Sequence, residues 1–169
     1  MTEPRKDALA DLEEFAKLLT AEDELGSVIR AHLVLEFHMD RLIELAAPNA
    51  AAVAAMELDF FGRVQLLSVL GFKPSLTKPL ANIGSLRNSF AHRLNFKLST
   101  DRMQTLYNCF DGEGKQIVQN AYDATRKQRL ASKHPKKMWA LEPKDQFSLL
   151  AAAMRVILQL ALQQQTDGR

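Results

Sequence analysis

Three polar residues near the middle of the chain, Arg87, Asn88 and His92, have the types and the spacing that phosphate chemistry asks for. An imidazole titrates near neutrality, so His92 can take a proton from a ribose 2′-hydroxyl or give one to a leaving oxygen. A guanidinium stays charged, so Arg87 can hold the extra negative charge of a phosphate in its transition state. Asn88 can orient the imidazole or bind a phosphate oxygen. On a helical wheel Asn88 and His92 lie one turn above each other, near Ser85. Arg87 falls on the apolar face of Leu76, Leu80, Ile83, Phe90 and Ala91. An inward arginine needs an anion, because an unpaired buried charge is costly. Glu36 sits on the stripe of Leu25, Ile29, Met39 and Ile43, and the pattern predicts a Glu36–Arg87 pair. Arg87 inward and His92 outward are then out of phase, unless the helix frays or tightens before His92.

Each of these residues also has a purely structural reading. Arg87 can be a packed ion-pair partner, and His92 a cation at a helix C-terminus, where the helix dipole favours it. His32 and Glu36, four apart, lack a third metal ligand and read as a polar pair in the core. No cofactor is implied. His38 and His134 carry no pattern. The single cysteine, Cys109, allows no internal disulfide and no Cys-based zinc site, and reads as an inert packed thiol.

A second candidate is electrostatic. Between residues 115 and 137, Lys115, Arg126, Lys127, Arg129, Lys133, Lys136 and Lys137 face a single acid, Asp123. Tyr122 and Trp139 lie in or beside this stretch, where they could stack on bases. A solvated helix face with one core aromatic is the plainer reading. A stretch that serves nucleic acid should open toward the same cleft as Asn88 and His92.

The elements that must position these residues are helical throughout. Apolar residues recur at helical spacing almost everywhere, with no strand pair and no repeat. A first helix, within residues 1–21, carries the stripe Ala8, Leu12, Phe15, Ala16 and Leu19. A second, Glu22 to Ala47, is apolar around most of its circumference and belongs at the centre of a bundle. Asp59 caps a third that stops at Gly71. Pro74 and Pro79 bracket the start of a fourth that ends near His92. Asn95–Ser99 reads as an extended connector, with Thr100 or Asp101 capping a fifth helix to about Phe110. A turn at Asp111–Gly114 precedes a sixth helix, Lys115 to about Ser132. Pro143 opens the last, with a frayed tail at 163–169. The fold class is therefore all-α, a single-domain bundle of five to seven helices.

Bulk properties narrow the setting. With 169 residues, 47% of them hydrophobic, and a net charge of +2, the chain can bury one sizeable core and carries no global field that demands nucleic acid. Neither a signal peptide nor a run of about 18–20 apolar residues is evident, which points to the cytoplasm and away from membranes. No helix-turn-helix, zinc finger or glycine-rich phosphate loop is present, so direct reading of DNA is not expected.

Arg87-Asn88, three further residues and His92 resemble the R-x4-H signature of the HEPN superfamily. Three stretches are similar, more narrowly, to the mannitol operon repressor family: Arg30-Ala31-His32-Leu33-Val34-Leu35-Glu36, Phe61-Gly62-Arg63-Val64-Gln65-Leu66-Leu67 with Leu70-Gly71, and Leu86-Arg87-Asn88 with Ala91-His92. Pro143-Lys144-Asp145-Gln146-Phe147 looks similar too, and together the matches span about two-thirds of the chain. The resemblance implies a HEPN-like bundle and, for active members, metal-independent cleavage of RNA in a homodimer whose two motifs form one composite site. It implies catalytic roles for Arg87, Asn88 and His92, with Glu36 in support, in a toxin or defence nuclease. The alternative it implies is a non-enzymatic transcriptional regulator acting through protein contacts. Some HEPN toxins carry a tyrosine two residues after the histidine, where an antitoxin modifies them. Leu94 stands there in this chain and does not support that mode of control. An antitoxin or a regulatory protein remains the expected partner.

Overall fold

The computed structural model describes residues 12, 14–128 and 137–167. Every regular element among them is helical: α1 (described residues 12 and 14–20), α2 (Glu24–Ala46), α3 (Ala50–Ala54), α4 (Phe60–Val69), α5 (Pro74–His92), α6 (Thr100–Asn108), α7 (Gly112–Gln128) and α8 (Pro143–Asp167), with a 3-10 turn at Met138–Ala140. These eight exceed the expected five to seven because the alanine-rich segment after Pro48 is itself a short helix, capped by the Asn49 side chain on the Ala52 amide at 3.1 Å.

Side-chain caps set most of the boundaries. Asp23 accepts from the Gly26 amide at 2.7 Å, so α2 begins two residues later than its apolar pattern suggests. Asp59 does the same for α4 through Gly62, and Gly71 ends that helix with φ of +89°, a conformation that costs a side chain dearly. The cap of α6 is Ser99, one residue before the expected Thr100 and two before Asp101. Asp111 accepts from the Gly114 amide at 2.8 Å. The segment expected as a turn is thus a cap and the first turn of α7. The expected frayed tail continues as helix to Asp167. The expected part of the first helix within residues 1–11, and the predicted end of α7 near Ser132, lie outside the described residues.

The buried apolar side chains form one contiguous cluster around α8. From Gln146 to Met154 every residue of α8 is buried, and Ala151, Ala152 and Ala153 let neighbouring helices approach closely. Helix α2 packs most extensively against it through Val28, Ala31, Leu35, Met39 and Leu42. Helices α5, α6 and α7 complete the surround, and α4 lies across α2 and α5. By length and composition alone α8 could cross a membrane, with a mean hydropathy of 1.3 in its most apolar window, contrary to the reading that no run is long enough. Most of that window, 61%, is buried inside the bundle, and a central bundle helix is apolar all round for that reason.

Candidate functional site at the end of helix α5

The end of α5 overhangs the core. Its buried residues are Leu76, Thr77, Pro79, Leu80, Ile83, Gly84 and Leu86, and none from Arg87 to Asn95 is buried. Phe96 then returns to the core, stacked edge-on against Phe90 with ring centroids 4.7 Å apart. The Leu98 amide donates to the Glu24 carboxylate at 3.0 Å, which pins the connector to the start of α2. Arg87 therefore has the inward phase predicted for it but is exposed, because the body of the protein stops short of it.

Glu36 takes a different partner. Arg63 of α4 lies with its Nη1 at 2.8 Å from Glu36 Oε1 and its Nε at 2.6 Å from Asp40 Oδ1. Arg63 also donates to the Leu58 carbonyl. Together Glu36 and Asp40 hold the Arg63 guanidinium above its usual value despite partial burial. The predicted Glu36–Arg87 pair is absent, since the carboxylate is already occupied. Arg63 was within reach of sequence reasoning, as a cation amid the apolar stripe of Phe60, Val64 and Leu67.

His32 completes this cluster. Its ring stacks on Phe60 at 4.1 Å, and Nδ1 lies 3.7 Å from Glu36 Oε2. Burial lowers its pKa below 6.5, and the nearby Arg87 and Arg63 lower it further. Gly84 of α5, about one turn before Arg87, lies against the same Phe60 ring. Arg87 Nη1 donates to Asn88 Oδ1 at 3.3 Å, and among the described residues it makes no ion pair with a carboxylate. His92 is exposed on the last turn. The helix neither frays nor tightens before it, since Arg93 is the first residue to leave, with φ −135° and ψ 107°. Arg87 and His92 are accordingly about 140° apart around the axis and about 7.5 Å along it. Within one protomer they do not share a face.

The basic stretch is only partly described: Arg129, Lys133 and Lys136, and the side chain of Lys127, fall outside. Lys115 stands in the first turn of α7, beside the start of α5, where Asp111 bonds Ser75 and lies near Lys73. That is the opposite end of a helix about 27 Å long from His92. Lys115 therefore lies far from His92, and its ammonium sits over the Tyr107 ring at 5.2 Å. Helix α7, which carries Arg126, packs on α8 and makes no extensive contact with α2 or α5; Lys137 is exposed. Tyr122 is buried and cannot stack on a base, while Trp139 packs edge-on against Tyr107 at 5.3 Å.

Among the described residues no three acidic, histidine or cysteine side chains gather as metal ligands. Cys109 is half-buried, donates to the Thr105 carbonyl at 3.4 Å, and has its thiol pushed up by burial. Compared with known proteins, the chain matches no protein-family model, no curated protein and no solved structure.

Proposed function

We propose that the chain is a HEPN-like, metal-independent endoribonuclease of the toxin or defence type, acting in the cytoplasm as a homodimer with a composite R-x4-H site. The observation that supports it is a guanidinium left free for an anion. Glu36 and Asp40 are committed to Arg63, while Arg87 has Asn88 beside it, no carboxylate among the described residues, and an exposed histidine on the next turn and a half. An exposed cation that the fold does not use is suited to a phosphate.

In the proposed reaction one His92 takes the proton of a ribose 2′-hydroxyl as its oxygen attacks phosphorus. The 5′-oxygen leaves with a proton from the other protomer's His92, giving a 2′,3′-cyclic phosphate and a 5′-hydroxyl end. Arg87 holds the charge that builds on the phosphoryl oxygens, and Asn88 fixes the guanidinium. Glu36 supports the site indirectly, by fixing Arg63 and so the surface on which His32 and Arg87 rest.

The test is cleavage of a mixed RNA pool in EDTA by wild type, His92→Ala and Arg87→Ala, each checked for helical circular dichroism. Cleavage lost in folded His92→Ala supports the reading; no cleavage by folded, dimeric wild type overturns it. That second result favours the regulator, acting through an antitoxin-like or regulatory protein partner. Lys115 at the far end of α5 already leans that way, since it leaves the motif without that cation to track an RNA backbone.

A further inference from the structure

Helix α2 carries Leu25, Ile29, Leu33 and Phe37 on its outer side, 43%, 42%, 60% and 63% exposed. Their constant spacing of four makes one continuous ridge about 18 Å long. Four large apolar side chains in a row are not scattered surface residues, and contiguous patches of this kind mark interfaces. They leave on the order of 400 Å² of apolar surface, about half of what each partner of a standard interface contributes.

We infer that this ridge is where a second copy of the chain packs, with the two α2 helices running antiparallel. It deepens the reading above by naming the face on which the protomers meet, and rests on that reading only for the claim that two motifs then share one site. The first argument is shape. The end of the ridge at Phe37 is a knob, the most exposed of the four. The other end is a shallow recess of about 510 Å³ around Leu25, Gly26, Ile29 and Leu33, edged by Glu22, Asp23 and Arg30. An antiparallel pair about a two-fold near Ala31 sets Phe37 of each copy against Leu25 and Gly26 of the other, and Ile29 against Leu33. Ridges of i±4 spacing packing into each other are also the commonest class of helix crossing.

The second argument is charge. An identical partner must present identical charges, so a ridge rimmed by one sign would repel itself. Here the rim is already paired within the protomer: Arg30 with Glu22 at 2.5 Å, Arg41 with Glu44 at 3.0 Å, and Glu36 and Asp40 with Arg63. Because Glu36 and Asp40 share Arg63, these groups leave one acid in excess per copy, a small charge that repels a second copy weakly and offers little to a strongly charged partner. The third is symmetry. In an antiparallel isologous pair the same flank of each helix lies on the same side of the dimer. His32, on one flank of the ridge, stacks on Phe60, and Gly84 of α5 lies against the same ring about one turn before Arg87, so both motifs are carried to that side. There the partner can supply the His92 that stands out of phase with Arg87 within one protomer.

Sedimentation velocity of the full chain tests the face. Wild type should be dimeric, Leu33→Asp and Phe37→Asp should weaken the dimer roughly thirtyfold or more, and Val69→Asp, at an exposed site elsewhere, should leave it unchanged. Helical circular dichroism of each variant separates dissociation from unfolding. For orientation, Leu25→Cys and Phe37→Cys are each placed in a Cys109→Ala chain, mixed and oxidised. Disulfide-linked heterodimers between the two are expected, and Phe37→Cys homodimers alone would mean a parallel pair and overturn the arrangement. A monomeric wild type, or a dimer indifferent to Leu33→Asp, overturns the face itself. A monomer that cuts RNA would sink both the face and the composite site; a dimer through this face that cuts none would keep the face and sink the nuclease reading.

Discussion

Replacing Arg63 by alanine strands two carboxylates at the edge of the core, whereas replacing Arg87 strands none. Both flanking acids keep some solvent, so Arg63→Ala should cost about 1–3 kcal/mol and Arg87→Ala no more than about 0.5 kcal/mol, read from urea midpoints. Equal losses would show that Arg87 is the structural arginine after all. His32 adds a pH dependence. Its folded pKa lies below the unfolded 6.5, mainly through burial, and His38 is lowered likewise by burial despite its bond to the Val34 carbonyl. The unfolded chain therefore binds more protons just below pH 6.5, so stability is full above that pH and falls as pH drops toward the folded values. Melting temperature should decline between pH 7 and 5, and His32→Gln should flatten the slope. Sequence reasoning found Arg87, Asn88, His92 and Glu36 because their types and spacing are local facts. It mispaired Glu36, because a wheel gives the direction of Arg87 but not whether any protein stands in that direction.

At the scale of elements, the helices α4 and α5 meet at Gly84. A Cβ there would lie 2.9 Å from Phe60 Cδ1 and 3.1 Å from Phe61 Cζ, and Phe60 is itself stacked on the His32 ring. Gly84→Ala gains up to about 1 kcal/mol of helix propensity but crowds a rigid ring, a cost of about 1–3 kcal/mol. The melting temperature should fall; a rise would mean that the two helices separate easily. Asp59→Ala, which removes the cap of α4, should cost about 1 kcal/mol in the same measurement. Element types were legible from apolar periodicity, proline positions and Gly71. The starts of α6 and α7 were less so, because Ser99 and Asp111 compete with neighbours that cap equally well on paper, and only local backbone geometry chooses between them.

For the whole molecule the decisive element is α8, on which α2, α5, α6 and α7 all rest. Leu150 is fully buried at its centre, and Leu150→Ala should cost about 2–5 kcal/mol. Because one cluster spans the fold, the loss should appear as a single cooperative transition by circular dichroism and tryptophan fluorescence alike. Two separate transitions would contradict a shared core. The all-helical class was legible from composition and period. The centrality of α8 was not, since an apolar run reads the same whether bundle or bilayer surrounds it.

The Lys144 ammonium at the start of α8 donates to the carbonyls of Thr20 and Glu22 at 2.8 and 2.7 Å, more than 120 residues earlier in the chain. With α2 and α8 forming the most extensive contact in the bundle, the helices made early must wait for one made late. On the ribosome α2 emerges well before its counterpart, with Val28, Leu35 and Met39 uncovered in the interval. Such long-range closure makes for slow folding and a sticky nascent chain. Synthesis, rather than equilibrium stability, is the stage at which this fold is most exposed to misassembly.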